Sequence, residues 1–238
     1  MQKRETSLAF VFAKEPHLEF DYFFSVFSKK FGKLKILAKG IRKINSKLIS
    51  QMELFSFVEI EFIKGKRNIK LVGARKVDRL PFLKKKLKRI ILASEIGELL
   101  EDFLKEEEPD ENIWNLLVLT FSKLNEISFK KEVLVYFYFF WHFISFLGFK
   151  PNLQRCVFCF KIPKDIFFFS EKYGGIACQF CAKKNKIKNR IQKTTLLFLQ
   201  VLTSGEMDLL ERVKLKKSTI EEISRLTKNY LEIYKLKS

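Results

Sequence analysis

The chain is poor in the residues from which most active sites are built. It has only two histidines in 238 residues, His17 and His142, and they lie far apart. It contains no G-x-S-x-G nucleophile motif, no G-x-x-x-x-G-K-S/T phosphate loop and no G-x-G-x-x-G loop. His142 stands inside an apolar run, so we predict a satisfied core residue rather than a base. The sequence therefore predicts a protein that is not an enzyme and has no small-molecule substrate.

Cysteine is also scarce, but the four cysteines are paired. They form two C-x-x-C motifs with eighteen residues between them: Cys156, Cys159, Cys178 and Cys181. Two such turns facing each other make a tetrahedral four-thiolate shell. Disulfides need an oxidising compartment, and the apolar run 8–13 is too short for a secretory signal. We therefore predict one structural zinc ion, with an iron–sulfur cluster, a redox dithiol or empty thiols as the alternatives.

Acidic residues are too few to balance the basic ones, and the imbalance is localised. The formal net charge is +19 and the sequence pI is about 9.7. Residues 1–80 carry 18 basic against 8 acidic side chains and residues 151–193 carry 10 against 2, whereas residues 81–150 carry 10 against 11. An AT-rich genome would enrich lysine everywhere, so the neutral middle favours a functional surface for a polyanion.

The first eighty residues alternate in the way that strands do. Five short segments rich in aromatic and β-branched residues are separated by glycines at 32, 40 and 65. The strands are predicted at 8–13, 20–27, 33–39, 52–64 and 67–77. On the fourth, Val58, Ile60 and Phe62 share one face. Five strands of this length predict a small closed barrel such as an OB-fold, and an SH3-like barrel fits nearly as well.

The pattern becomes helical from Pro81 onward. Apolar residues at helical spacing predict a helix from about 83 to 103, a second around 113–124, a third at 194–203 and a last one opened by a capping box at Ser218. The acidic stretch 101–111 is predicted to be a solvated helix end or a partner surface. The fold class predicted is α+β with two domains: a barrel at 1–80 and a helical domain at 81–238, which carries a zinc-binding module at 153–184.

One run, from Val133 to Phe149, is almost entirely apolar. Seventeen residues is the lower limit for crossing a bilayer, and its aromatic residues lie in the middle rather than at the ends. A helix surrounded by other helices is apolar all round for the same reason. We predict a buried core helix, with a membrane segment as the alternative.

Lysines and arginines cluster along the second, third and fourth loops of the predicted barrel. On a small barrel, cations can follow a phosphate backbone while outward aromatic rings stack on bases. Which of the many phenylalanines do so is left open by the sequence. The predicted DNA-binding residues are Lys33, Lys35, Lys39, Arg42, Lys43, Lys66 and Arg67.

The order of these parts resembles the RecO family of bacterial DNA repair proteins over the whole length. The most specific motifs are Leu147-Gly148-Phe149-x-Pro151-x-Leu153-x-x-Cys156-x-x-Cys159 and the Gly174-Gly175 pair before Cys178. The Gly32-Lys33 pair, the segment 38–43 and the C-terminal residues 235–238 also match. The chain departs from the family at Phe160, where a glycine is usual, and it lacks part of the usual stretch before its C-terminus.

The resemblance implies a recombination mediator of the RecF pathway with an OB-fold and a zinc-binding insert. Such a protein binds single- and double-stranded DNA, anneals complementary strands and acts with RecR to load RecA onto strand coated by single-strand-binding protein. It implies a cytoplasmic, nucleoid-associated location and no membrane. The alternatives from the residues alone are a zinc-ribbon RNA- or ribosome-associated protein and a membrane-attached interaction protein.

Overall fold

The computed structural model describes residues 3–77, 80–81, 83–128 and 131–235. The chain divides into two compact units, Met1–Glu126 and Ile127–Ser238. The C-terminal residues 236–238 of the family resemblance lie outside the described residues.

The first unit is built on a closed five-stranded barrel, as predicted. Its strands are β1 (Arg4–His17), β2 (Asp21–Ser28), β3 (Gly32–Ala38), β4 (Ser56–Lys64) and β5 (Ile69–Lys76), in the spatial order β1-β2-β3-β5-β4. Neighbouring strands are antiparallel except β3 and β5, which are parallel. Val58, Ile60 and Phe62 on β4 are fully buried inside the barrel, which confirms the predicted alternation.

Strand β1 is longer than predicted because it closes the barrel. Its N-terminal part, Arg4–Val11, pairs with β4, and Ala9–His17 pairs with β2 across a bulge between Val11 and Ala13. The fourth strand begins at Ser56 rather than at Met52, since Phe55 has a positive φ of 57°. The polar residues near the start of β1 look like a loop in sequence, and pairing with a distant strand makes them extended.

Two helices belong to the same unit as the barrel. These are α1 (Leu87–Phe103) and α2 (Glu111–Glu126), and α2 contains the helix predicted around 113–124. Phe10, on the outer face of β1, lies 4.3 Å from the Phe121 ring of α2, so outward aromatics of the barrel are covered by helices. The predicted first helix began too early: Leu83 precedes it and its N–H bonds to the Asn125 side chain at 3.2 Å. The domain boundary predicted at residue 80 stays a prediction.

The acidic stretch contains the N-cap of α2. The Asp110 side chain accepts hydrogen bonds from the N–H groups of Asn112 at 2.8 Å and Ile113 at 3.0 Å, as an N-cap aspartate does. Gly32 approaches this stretch closely. It has φ +68°, and a Cβ there would lie 2.2 Å from the Glu108 carbonyl oxygen. Only glycine satisfies both the turn and the contact.

The second unit is organised around α3 (Glu132–Ile144), which is buried along almost its whole length. The 18-residue window 132–149 is apolar enough to cross a membrane, and 61% of it is buried in the structure. Trp141 is fully buried, with its ring 5.0 Å from Tyr230 and 6.3 Å from Phe169. A π-helical segment, Ser145–Phe149, follows and ends the helix at Gly148, where φ is +87°.

The remaining helices of this unit are α4 (Gln179–Lys184), α5 (Lys193–Ser204), α6 (Leu209–Arg212) and α7 (Lys217–Lys235). Helix α5 ends at Ser204, one residue beyond the predicted end at 203, and Gly205 is its C-cap. The predicted capping box is wrong, because α7 begins one residue before Ser218, which therefore lies inside the first turn. The predicted last helix is present, and its Ile223, Leu226 and Tyr230 are fully buried.

Between α3 and α5 the chain forms a small three-stranded sheet that carries the cysteines. Its strands are β6 (Phe167–Ser170), β7 (Gly175–Cys178) and β8 (Arg190–Ile191), in the order β7-β6-β8. The third strand lies beyond residue 184, the predicted end of the zinc-binding module. We therefore take the module as residues 153–191 and call it the cysteine module. We did not predict β8, because two residues carry no periodicity.

His142 occupies an intermediate position in the core. Its ring lies 4.1 Å from Tyr138, and burial lowers its pKa from 6.5 to about 4, helped by the charge of Lys150. Within the described part of the chain its Nε2 atom has no hydrogen-bond partner. The prediction of a core residue holds, but the prediction of a satisfied one does not.

Candidate metal centre and nucleic-acid interface

The four cysteines converge on one point. Their Sγ atoms all lie within 4.8 Å of one another, and those of Cys159 and Cys178 are 3.8 Å apart. All four are free thiols. A tetrahedral shell of zinc–sulfur bonds about 2.3 Å long has edges of about 3.8 Å, so the donor set fits a four-coordinate metal ion. The structure thus brings together every predicted metal ligand: Cys156, Cys159, Cys178 and Cys181.

Backbone hydrogen bonds hold the first C-x-x-C turn. The Cys156 N–H donates to the Lys161 carbonyl at 2.9 Å, and the Phe160 N–H donates to the Cys156 carbonyl at 2.9 Å. Phe160 closes this turn with φ +61°, a conformation that favours glycine because of the Cβ of other residues. A glycine would adopt this turn without strain, and this chain forms it with a large side chain.

Two backbone hydrogen bonds of Asn152 connect the segment before the first turn to the segment before the second. The Asn152 N–H bonds to the Gly174 carbonyl at 2.8 Å, and the Asn152 carbonyl accepts from Ile176 at 2.9 Å. A Cβ on Gly175 would lie 2.4 Å from that carbonyl oxygen. Gly175 is thus required by close packing of backbone against backbone, and Gly174 by its positive φ of 62°.

The thiols differ in acidity. Burial opposes ionisation of Cys156, but N–H groups of Cys178, Cys159 and Phe158 outweigh it and lower the pKa of this thiol to about 6. Burial and the neighbouring thiols raise the pKa of Cys181 to about 12. One thiolate therefore forms readily and a full set does not, unless a cation compensates the accumulated charge.

The thiols of the cysteine module lie in a small apolar cluster. Its buried residues are Cys156, Ala177, Cys181 and Ala182, and half-buried residues such as Phe158 and Ile187 pack around them. Two of the four buried residues are themselves ligands. Phe169 and Ile176 of the module are buried outside this cluster, so the thiol end has the fewest apolar contacts and a bound metal ion would supply its main cross-link.

On the barrel, predicted cations surround the β4–β5 hairpin, Gly65–Asn68. One groove of about 490 Å³ is lined by Phe23, Lys35, Lys64 and the hairpin residues, and also by the acidic residues Glu106 and Glu107. A second groove of about 460 Å³ is lined by His17, Leu18, Lys39, Lys70 and the same hairpin. Lys66 and Arg67 border both grooves. Four predicted residues are thus brought together: Lys35, Lys39, Lys66 and Arg67.

Lys33 lies apart from this surface. It is 8% exposed, and its Nζ atom lies 2.7 Å from the Glu101 carbonyl oxygen and 3.2 Å from the Glu101 carboxylate. The side chain therefore ties α1 to the start of β3. A residue held in this way is not available to a phosphate, and we leave Lys33 out of the proposed interface.

Arg42 and Lys43 lie in the turn after Gly40. The Arg42 guanidinium carbon lies 5.4 Å from the Tyr22 ring centre, and the Lys43 Nζ lies 5.9 Å from the Phe20 ring centre. Both side chains are exposed, and neither lines the two grooves beside the hairpin. They form a separate basic patch next to the β1–β2 turn.

The structure indicates which aromatic residues face the grooves. The Phe23 ring lies 4.7 Å from His17 and 5.1 Å from the Lys35 Nζ. Tyr22 and Phe24 point into the barrel core instead. We left the groove-facing ring open from the sequence, and the alternation of Phe23 with Tyr22 and Phe24 along β2 is the signal that could have found it. Lys64 and Lys70 also line the grooves and were not among the predicted site residues.

The structure defines the class of this protein: a small barrel with two attached helices, followed in the chain by a helical unit whose inserted module clusters four thiols. Two sequence models of one family match it: Recombination protein O N terminal at residues 1–77 and Recombination protein O C terminal at residues 84–237. The chain belongs to the RecO family.

Curated relatives cover nearly the whole chain. DNA repair protein RecO of Alkaliphilus metalliredigens is 25% identical over 226 residues, which are 94% of this chain and 91% of the relative. DNA repair protein RecO of Desulforamulus reducens is 29% identical over 217 residues, 91% of this chain and 84% of the relative. DNA repair protein RecO of Thermoanaerobacter sp. is 24% identical over 214 residues, 90% and 86%.

Proposed function

We propose that this chain is a non-enzymatic DNA-binding protein of recombinational repair that anneals complementary strands. One observation carries the proposal: Lys35, Lys39, Lys66 and Arg67 converge with Phe23 around the β4–β5 hairpin. In OB-folds the face of strands 2 and 3, with the loops that follow β1 and β4, is where oligonucleotides bind. Family membership supports the repair role, because the curated relatives are named for it.

The grooves suit a single strand bound through its backbone. Lys39, Lys66, Arg67 and Lys70 offer ammonium and guanidinium groups to phosphates, and Phe23 offers a ring to a base. Phosphate contacts do not read sequence, and stacking accepts every base. This is the binding that annealing requires, since the protein must accept any strand and leave its pairing edges exposed.

The acidic residues of the first groove restrict where a strand can lie in it. Glu107 pairs with Lys64, and Glu106 lies beside it. Carboxylates repel a phosphate backbone, so the strand is expected to follow the side lined by Lys35, Lys66 and Arg67. The ion pair with Glu107 also keeps Lys64 occupied when no nucleic acid is bound.

We propose that the four thiols hold one zinc ion in a structural role. Four protein ligands leave no open coordination position, which is typical of structural zinc sites. When bound, the ion supplies a cross-link between the two C-x-x-C turns. The cysteines then orient β6, β7 and α4, and the chain itself needs no catalytic group for annealing.

Family membership extends the proposal to partners and location. We expect the protein to act in the cytoplasm at the nucleoid, on single- and double-stranded DNA. We expect it to bind RecR, to act on strand coated by single-strand-binding protein and thereby to assist RecA loading. These partners follow from the family alone, and no contact surface for them is assigned.

Complementary-strand annealing tests the proposal. Labelled strands are mixed with the zinc-loaded protein, with and without single-strand-binding protein, and duplex formation is followed by energy transfer. We expect annealing well above the spontaneous rate in both conditions. A Lys66→Gln/Arg67→Gln variant should anneal more slowly, and Lys214→Gln/Lys216→Gln, which removes two exposed lysines of the other unit, should not. A spontaneous rate with the wild-type chain, or stronger binding to matched RNA strands, would contradict the proposal.

A further inference from the structure

Two phenylalanines protrude from the cysteine module. Phe160 is 65% exposed and Phe180 is 78% exposed, although phenylalanine is normally buried. Phe160 follows Cys159 directly, and Phe180 lies between Cys178 and Cys181. Because the four Sγ atoms lie within 4.8 Å of one another, the backbone segments that carry both rings are held around one centre. The rings are therefore exposed on a rigid support rather than on a loose loop.

The conformation of Phe160 carries a cost that packing does not explain. A non-glycine residue in the left-handed region is strained by its Cβ, and the Phe160 side chain gains little burial in return. Strain at an exposed aromatic residue is typical of a position retained for contact with a ligand.

Unpaired cations accompany the two rings. Lys161 follows Phe160, and Lys183 and Lys184 stand three and four residues after Phe180 on α4, on the same side of that helix. All three side chains are exposed, and in the described parts of the chain none of them has a carboxylate partner. Of the two acidic residues in 151–193, Glu171 already accepts a hydrogen bond from Asn189 at 2.7 Å. The surface around the two rings is therefore cationic, as a site for a polyanion requires.

We propose that the module face, formed by Phe160, Lys161, Phe180, Lys183 and Lys184, binds a second segment of single-stranded DNA. The rings stack on bases and the lysines contact phosphates. The proposal rests on the proposed function, because it takes DNA as the ligand. It adds that a chain that anneals two strands has two single-strand surfaces, one on each compact unit.

Protruding rings favour a nucleic acid over an acidic polypeptide. An anchor residue of a peptide needs a pocket to enter, whereas a base needs only a flat ring beside it. Phe160 and Phe180 expose most of their surface, as stacking platforms must. Charge alone would accept either ligand, so the test has to report on the bases.

Phe180→Trp gives that report. Both natural tryptophans are buried, Trp114 at 5% and Trp141 at 0% exposure, so an added indole at 180 is the one that meets a ligand in solution. The probes are oligothymidylate of about eight nucleotides, within the range that small folds accommodate, an abasic strand of equal length, and polyglutamate. We expect strong quenching with oligothymidylate and little with the other two. Equal responses to all three would refute base stacking and would indicate a surface that binds any polyanion.

Affinity measurements complete the test in a Lys66→Gln/Arg67→Gln background, where the barrel contributes less. Phe160→Ala/Phe180→Ala should weaken oligothymidylate binding at least about fivefold, and Lys183→Gln/Lys184→Gln should weaken it and flatten its salt dependence. Phe146→Ala, which removes a 41% exposed phenylalanine outside the module, is the matched control. Metal content is measured on every variant to verify that the module is intact.

The two proposals fail in different ways. If wild-type protein binds no DNA, the proposed function fails. If it binds DNA but the indole at 180 does not respond and Phe160→Ala/Phe180→Ala binds as tightly as its control, only the second surface is refuted.

Discussion

The barrel and the cysteine module are both basic, yet they are built in opposite ways. The barrel is held by a continuous apolar core that includes Val26, Ile36 and Ile60, and several of its surface cations are paired with carboxylates, among them Lys35 with Glu15 and Arg75 with Glu59. The module has only a small apolar cluster around its thiols, and among the described residues Lys161, Lys183 and Lys184 have no carboxylate partner. The barrel should therefore fold without metal, whereas the module should depend on it.

Removing one ligand should break this comparison most severely. Cys178→Ser should abolish stoichiometric zinc binding and expose residues 153–191 to hydrogen exchange, because a structural zinc site contributes on the order of 10 kcal/mol to folding of its module. Strands β1–β5 should keep their protection. Elemental analysis and exchange mass spectrometry measure the two effects. Less than half an equivalent of any metal in freshly purified wild-type protein would contradict a metal-dependent module.

The reciprocal change tests the barrel. Ile60→Ala removes a fully buried side chain and should lower the free energy of unfolding of the first unit by about 2–5 kcal/mol. Trp114 lies in this unit and Trp141 in the other, so Trp141→Phe and Trp114→Phe backgrounds report on each unit separately. Zinc content should not change. Loss of metal from Ile60→Ala would mean that the two units do not fold independently.

Acidification should unfold the two units at different pH values. The pKa of His142 is lowered from 6.5 to about 4, so between these values only the unfolded chain takes up the proton and the second unit loses stability as pH falls. The loss is about 1–2 kcal/mol after allowance for partial exposure. Protonation of the thiols releases metal in the same direction.

In the barrel, hydrogen bonds from Lys76 and Lys84 lower the pKa of Glu53 from 4.5 to about 2. The contribution of the Glu53 carboxylate to the stability of the first unit is complete above pH 4.5 and is lost only below it. As pH falls, the second unit should therefore unfold first. Denaturant melts of the two single-tryptophan variants at pH 7, 5 and 4 test this order. His142→Phe should make the second unit less sensitive to pH, and an unchanged sensitivity would assign the loss to the thiols alone.

The smallest expected change concerns Phe160. Replacing it by glycine removes the left-handed strain, so zinc should dissociate more slowly, by about fivefold for about 1 kcal/mol. The same variant should bind single strands more weakly, since it loses a stacking ring. Chelator competition measures the first effect and oligothymidylate titration the second. Faster zinc loss would show that the ring stabilises the turn.

Periodic and local features of this molecule were predictable from the sequence. The alternation of Val58, Ile60 and Phe62 predicted the inner face of β4, and the cysteine spacing predicted the clustered thiols. Features that depend on distant partners were not. Lys33 looked like an exposed cation, and its burial depends on Glu101, sixty-eight residues away. Likewise, nothing in the local pattern assigns α1 and α2 to the same compact unit as the barrel.

The central claim is that the hairpin between β4 and β5 binds single-stranded DNA. The most direct measurement is the affinity for single-stranded DNA as a function of salt, compared between wild type, Lys66→Gln/Arg67→Gln, Arg42→Ala/Lys43→Ala and the control Lys214→Gln/Lys216→Gln. Each lost phosphate contact should flatten the logarithmic slope by about 0.7. We expect the hairpin variant to lose about 1.4, the Arg42/Lys43 variant less, and the control nothing. An unchanged slope in the hairpin variant with the barrel intact would contradict the assignment of this surface to DNA.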